Sequence, residues 1–317
     1  MATQTLKKLW KNEYFQTAIT IILILIIVFG FYYGAQAALG TEYPALAVAS
    51  GSMLPTLNIG DLIIVQKIDP AKIKADPEGL TGDILVYKRG DELIVHRAVN
   101  IRPAENGIYL ITTRGDNTFT NDPEWSSTQL VGKVIARIPA IGNLPLFLHS
   151  ERNMYILFLA LIIILIILML PFGSQEGKEA QKERQPTERK LFSKISLNLL
   201  FYTIINIILL GLIIFSLWGS LTFWQPGAGN RGDWVTIYGM FSDKHFHEQF
   251  SNKVYLYQGF LTYQINYIVD NGTRQGIPTF SWFQFLLATL AVYNAWKLYN
   301  VLKTYKARKP TTREANV

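Results

Sequence analysis

An almost uninterrupted apolar run from Thr17 to Leu39 constrains this chain more than any other feature. About 20 such residues in a helix match the hydrocarbon core of a bilayer. Three further blocks follow, at Met154–Phe172, Leu197–Leu221 and Phe280–Leu302. The last is the weakest, since it carries Gln284, Asn294 and Lys297. Half of the 317 residues are hydrophobic, and these blocks hold the excess. The pattern predicts three or four transmembrane helices separated by polar segments.

Charge orients them. The N-terminal flank has Lys7, Lys8 and Lys11 against Glu13. Residues 173–196 have six Lys/Arg and four Glu, and the chain from Lys297 onward has six Lys/Arg and one Glu. By contrast, residues 40–152 have eleven Lys/Arg and thirteen Asp/Glu, and residues 221–279 have four of each. Basic flanks stay cytoplasmic. The expected order is therefore a cytoplasmic N-terminus (1–16), a signal anchor (17–39), an exported domain (40–153), a span (154–172), a charged cytoplasmic linker (173–196), a span (197–221), a second exported segment (222–279), a span (280–302) and a basic cytoplasmic tail (303–317). Ala35-Gln36-Ala37 has the small-x-small form of a signal-peptide cleavage site, but the run before it is longer than a signal h-region, which favours an uncleaved anchor. The net charge of +7 lies beside helices rather than on one face, which speaks against nucleic acid as a partner.

The chain has no cysteine, which excludes disulfides, thiol catalysis and zinc-thiolate sites. Asn271-Gly272-Thr273 is a glycosylation sequon in a segment expected outside.

Residues 40–152 predict a mainly β domain, a small antiparallel barrel or sandwich. Short runs rich in Val, Ile and Leu occur at 45–50, 62–68, 83–88, 92–101, 108–114 and 131–138. Asn58-Ile59-Gly60-Asp61, Arg89-Gly90-Asp91 and Asn106-Gly107 separate them as turns. The second exported segment is rich in aromatics and alternates at 254–261 and 264–269, which predicts a small β-rich module. Asp243-Lys244-His245-Phe246-His247-Glu248 within it reads as a solvated loop, with metal binding the weaker reading.

Chemistry concentrates in the first exported domain. Ser50 and Ser52 flank Gly51 where a strand ends; His96 sits between Val95 and Arg97 in an apolar strand; Asp116 and Asp122 follow the strand ending at Arg114. Taken singly, turn formation accounts for the serines and aspartates, and a structural role for the histidine. Together, in this order, on a module that begins at a membrane surface, they suggest a membrane-tethered serine peptidase.

Ser50-Gly51-Ser52-Met53-Leu54-Pro55-Thr56 resembles the nucleophile box of type I signal peptidases. Gly82-Asp83-Ile84-Leu85-Val86 through Ile94-Val95-His96-Arg97 resembles their base-carrying box, and Arg114-Gly115-Asp116-Asn117 through Asp122 their acidic box. Bacterial members mostly carry a lysine where His96 stands, so the chain resembles the endoplasmic-reticulum-type branch, in an archaeal or Gram-positive-like form. The resemblance covers roughly Thr17 to Gly142, less than half the chain.

It implies Ser52 as nucleophile, His96 as general base, Asp122 as the partner that orients His96, and Asp116 as a supporting acid. The Ser52 N–H and the Ser50 hydroxyl would form the oxyanion hole, with Met53 beside the substrate approach. Lys67, Lys88 and Lys133 do not match the base position. No metal and no cofactor is implied. The implied partners are signal-peptide-bearing preproteins, the lipid bilayer and the protein export channel, and the implied location is the plasma membrane, with the catalytic domain on the extracytoplasmic side. The implied reaction removes N-terminal signal peptides at small-x-small sites. Two alternatives stand beside it: a processing peptidase for one dedicated precursor, and a membrane scaffold whose peptidase-like domain is secondary or inactive.

Overall fold

The computed structural model describes residues 13–149, 197–225, 234–270 and 272–308. By internal contacts the chain divides into two compact units. The first takes in the described residues up to Asn143 together with Asn266–Pro278; the second takes in those from Leu144 to Ile265 and from Thr279 onward.

The first unit opens with helix α1, Glu13–Leu39. Its apolar side chains stay exposed to the surroundings, Ile26 at 63% and Phe31 at 79%, as expected of a helix whose solvent is lipid. Strands β1 (Ala45–Ala47), β2 (Leu62–Gln66), β3 (Ile84–Arg89), β4 (Glu92–Pro103), β5 (Tyr109–Arg114), β6 (Trp125–Ser126) and β7 (Leu130–Ile138) follow. They form an antiparallel sheet in the order β1-β2-β7-β3-β4-β5-β6.

The sheet is covered on both faces. Successive strand side chains point to opposite sides, and β3 shows the result. Ile84 and Val86 pack with Val48, Met53, Leu57, Ile63, Val65 and Val134. Leu85 and Tyr87 pack with Ile73, Ala98, Ile111 and Trp125 on the other side. Tyr87 and Trp125 stack with ring centroids 4.2 Å apart. All six runs expected as strands are strands, and only the two-residue β6 has no counterpart among them. Asn106 and Gly107 take φ of 59° and 73°, the left-handed pair that a tight hairpin turn requires.

In the second unit, α2 (Asn143–His149) contributes its residues from Leu144, and α3 (Leu197–Trp218) is followed by the hairpin of β8 (Ser220–Trp224) and β9 (Trp234–Tyr238). Helix α4 (Met240–Glu248), strands β10 (Val254–Gly259), β11 (Thr262–Val269) and β13 (Thr279–Phe280), and helix α5 (Trp282–Arg308) complete it. Strand β12 (Gly272–Arg274) belongs to the first unit, where it pairs with the last residues of β11. Leu217, Met240, Tyr263 and Ile265 form the core of the second unit. The segment expected as a solvated loop is α4. His247 is buried on it and donates from Nδ1 to the Asp243 carbonyl at 2.8 Å, one helical turn back.

Two described helices are long and apolar enough to cross a membrane, Ile22–Leu39 and Asn198–Trp218, where the sequence pattern predicts three or four. The block at 154–172 and the linker at 173–196 lie outside the described residues. The block at 280–302 is helical, as α5, but falls short in apolar character. Its polar residues explain why: Asn294 donates to Asn206 Oδ1 of α3 at 2.8 Å and accepts from the Tyr202 hydroxyl. These side chains serve helix–helix contact rather than lipid.

Candidate active site

The box around Ser52 leaves β1 as a tight turn. The Leu54 N–H reaches the Gly51 carbonyl, and the Leu57 N–H reaches that of Met53 at 3.0 Å. Met53 turns inward and is 2% exposed, so it is core rather than a lining of the substrate approach. Its burial ties down one side of the turn while Ser52 stays partly exposed on the other.

His96 lies mid-strand on β4, with its side chain 12% exposed. Nε2 stands 3.1 Å from Ser52 Oγ, and Nδ1 stands 2.6 Å from Asp122 Oδ2. With Nδ1 protonated toward the carboxylate, Nε2 is left to accept from the serine hydroxyl, so the hydrogen bond selects the tautomer. Ser52 Oγ also stands 3.4 Å from Ser50 Oγ. Lys133 pairs with Asp83 at 2.6 Å, and no lysine is a hydrogen-bond partner of Ser52 among the described residues.

Asp122 is fixed from three directions. Its N–H donates to the Thr113 carbonyl at 2.8 Å, and Oδ2 accepts from the Thr113 hydroxyl at 2.6 Å as well as from His96. Thr113 Oγ1 in turn accepts from Trp125 Nε1 at 3.1 Å. Burial alone would raise the Asp122 pKa; the hydrogen bonds from His96 and Thr113 override it and hold the carboxyl below its ordinary value. The Tyr87 hydroxyl lies buried near this cluster, and burial pushes its pKa up to about 12.

Asp116 does not touch His96 by any described contact. It binds Arg97 through two bonds, Nε to Oδ1 at 2.8 Å and Nη2 to Oδ2 at 2.7 Å, with both side chains almost fully buried. Burial would raise its pKa, and the Arg97 guanidinium overrides this and holds it low. His96 and Arg97 are neighbours on one strand and so face opposite sides of β4. Each takes one of the two carboxylates that follow β5. Arg97 thereby anchors the loop whose far end holds His96 in register.

The same loop contacts the serine turn. The Asn117 N–H donates to the Ser52 carbonyl at 2.9 Å, and its side chain donates to the Gly51 carbonyl at 3.1 Å. The site is thus a serine, an imidazole and a carboxylate in hydrogen-bonded series, at the junction of the β1–β2 turn, β4 and the loop after β5. This arrangement can deliver an alkoxide-like nucleophile to a peptide carbonyl. No group of three or more metal-ligating side chains occurs among the described residues.

No protein-family model matches the chain. It is similar to curated signal peptidase complex catalytic subunits. It is 31% identical over 162 residues to SEC11 of Pyricularia oryzae, a match covering 46% of this chain and 87% of the relative. It is 28% identical over 168 residues to sec11 of Dictyostelium discoideum, covering 49% and 89%. It is 26% identical over 155 residues to SEC11C of Homo sapiens, covering 46% and 78%. The chain belongs to the family of signal peptidase complex catalytic subunits. Its function is that of a signal peptidase, a hydrolase that acts as a serine protease.

For this signal peptidase, Ser52, His96 and Asp122 are brought together, Ser50 stands beside Ser52, and Asp116 is set apart in its ion pair with Arg97. Thr113, Thr56, Asn117 and the pairing role of Arg97 were not legible beforehand. Arg97 was marked only by standing next to His96. Thr113 carried a fainter signal, as a hydroxyl two residues after Ile111 and so on the same buried face of the strand.

Proposed function

We propose that Ser52, His96 and Asp122 are the catalytic triad of this signal peptidase, and that it cuts membrane-delivered preproteins after small-x-small sequences. The carrying observation is the unbroken series from Ser52 Oγ to His96 Nε2 at 3.1 Å and from His96 Nδ1 to Asp122 Oδ2 at 2.6 Å.

The steps follow from that series. His96 Nε2 takes the Ser52 proton as Oγ attacks the scissile carbonyl carbon. The resulting imidazolium is stabilised by ionised Asp122. The Ser52 N–H and the Ser50 hydroxyl donate to the developing oxyanion, and the 3.4 Å spacing of the two hydroxyl oxygens supports this pairing. His96 then returns the proton to the leaving amine, which departs with the mature chain. Water, deprotonated by the same Nε2, releases the signal peptide from Ser52.

The membrane arrangement is part of the same reading. Helix α1 anchors the domain, and the basic flank of Lys7, Lys8 and Lys11 before it supports exposure of the domain on the extracytoplasmic face of the plasma membrane. Incoming preproteins, the bilayer and the protein export channel are the partners, and the chain crosses the membrane several times.

The test is cleavage of a preprotein bearing an Ala-x-Ala site, in detergent or liposomes, by wild type, Ser52→Ala and His96→Ala. Cleavage after the small residue by wild type alone, with both variants folded, is the expected result. Cleavage by Ser52→Ala, or an inert wild type, would overturn the assignment.

A further inference from the structure

Residues far beyond the three boxes enter the first unit beside the triad. The last residues of β11 pair with β12 in the register Tyr267↔Arg274, Ile268↔Thr273 and Val269↔Gly272. Ile277 follows and joins the sheet core with Val48, Met53 and Leu57. The segment is stitched in by backbone bonds, from Gln275 N–H to the Leu80 carbonyl and from Arg137 N–H to the Pro278 carbonyl, both at 2.9 Å. Arg97 Nη2 donates to the Gln275 carbonyl at 3.1 Å.

Two side chains of this hairpin reach the frame of the site. Arg274 Nη1 donates to the backbone carbonyl of Asp116 at 2.9 Å, and its Nε donates to the Gly79 carbonyl at 3.0 Å. Its guanidinium also lies 4.0 Å from the Asp116 carboxylate, which Arg97 already binds. Tyr267 OH stands 3.1 Å from Thr56 Oγ1, and Thr56 Oγ1 donates to Asp116 Oδ2 at 2.5 Å. One hairpin therefore touches the end of the nucleophile box and the middle of the acidic box.

The point of contact matters. Asp116 lies between Gly115, which is packed against Ser52 and His96, and Asn117, whose N–H holds the Ser52 carbonyl. The carbonyl that Arg274 grips belongs to the 116–117 peptide, whose N–H is the one bonded to Ser52. Movement of that peptide moves the nucleophile relative to its base. The curated relatives match less than half of this chain, at 46–49%, and all three boxes lie before residue 123.

We propose that Arg274, with Tyr267, is a positioning residue of this peptidase: the C-terminal hairpin holds the 115–117 backbone so that Ser52 and His96 stay in attack register. This rests on the triad reading above. Arg274 touches no reacting atom and acts through Asp116. Active-site geometry depends on such supporting contacts.

The experiment uses the full chain in detergent and the same Ala-x-Ala preprotein, with wild type, Ser52→Ala, Arg274→Ala, Arg274→Lys and Tyr267→Phe. Arg274→Ala is expected to lower kcat roughly 10–100-fold, the scale of a displacement of about 1 Å, while KM is unchanged because no substrate contact is lost. Arg274→Lys recovers part of kcat by keeping one donor, and added guanidinium recovers part of it for Arg274→Ala. Tyr267→Phe, which deletes a single oxygen, lowers kcat less. If Arg274→Ala does not fold, Arg274→Lys and Tyr267→Phe carry the test. Wild-type kcat in the folded fraction of these variants, with Ser52→Ala dead, overturns the proposal and leaves the triad standing. A raised KM with unchanged kcat overturns it as well. Cleavage by Ser52→Ala overturns the triad instead.

Discussion

Gly115 and His96 are in such close apposition that a Cβ on Gly115 would stand 3.0 Å from His96 Nε2. The same carbon would lie 2.6 Å from the Ser52 carbonyl oxygen, a backbone atom that no rotamer change can move. The absence of a side chain here lets the acidic loop close over both Ser52 and His96. Gly115→Ala should therefore lose roughly a hundred-fold in kcat in its folded fraction, as Ser52 and His96 are pushed apart. Steady-state cleavage with circular dichroism on the same preparations checks this; an alanine variant of wild-type activity would mean that the loop relaxes without cost to the site.

Asp122 accepts from His96 and Thr113 but has no route to the substrate except through the imidazole. Asp122→Asn can donate to Nδ1, and this favours the tautomer with its proton on Nε2, facing Ser52. Loss of the correct tautomer in a serine triad costs about 10⁴-fold in kcat. A drop of roughly a thousand-fold or more, with KM little changed, is expected for Asp122→Asn. Asp116→Asn should show the opposite balance, with large loss of stability and smaller loss of kcat in the folded fraction, because Asp116 meets Arg97 and not His96.

The contrast between those two aspartates shows what could be read in advance. The six short runs with their turns made the β domain legible, and the three boxes around Ser52, His96 and Asp122 made the proposed triad so. The apolar run at Thr17–Leu39 carried α1. Those signals are local, set by period, turn chemistry and neighbouring residues. Arg274 and Tyr267 gave none, since their contacts span 158 and 211 positions in the chain and an arginine in a short polar stretch resembles any solvated residue. Met53 misled for the same reason: an apolar residue after the nucleophile can face substrate or core, and only the packing of Leu57 and Ile63 around it decides. In α5, Asn294 marked a poor lipid-facing helix, but its partners Tyr202 and Asn206 are about ninety residues away.

Thr113 links Asp122 to the second face of the core. Its hydroxyl donates to Asp122 and accepts from Trp125, itself stacked on Tyr87. Thr113→Val keeps the shape, leaves the buried Trp125 N–H without an acceptor and removes one donor from Asp122. A buried group left unpaired costs about 1–3 kcal/mol. Thermal unfolding in detergent should fall by that amount, and kcat should fall with it as Asp122 loses a restraint. Unchanged stability and unchanged kcat together would show that the Asp122 carboxylate needs no restraint from the Thr113 hydroxyl.

The two carboxylates also set an acid limit. Both have folded-state pKa values below the ordinary one, Asp122 through His96 and Thr113 and Asp116 through Arg97, in each case against the opposing effect of burial. A depressed carboxyl contributes stability that is fully present above its unfolded value, about 3.9. That contribution is lost as pH falls through the lower folded value. Stability should therefore be flat with respect to these groups from neutral pH down to about 4, then decline. Asp116→Asn leaves the buried Arg97 without its ion-pair partner and should cost about 3–5 kcal/mol at pH 7. The gap to wild type should narrow only below about pH 4, where the wild-type carboxyl begins to protonate. Unfolding curves of both proteins between pH 7 and pH 2 check the sign, and a gap that closes well above pH 4 would show that Asp116 is protonated far more readily than its pairing with Arg97 requires. By the same argument, an acid limb in kcat/KM above pH 5 belongs to a group other than Asp116 or Asp122.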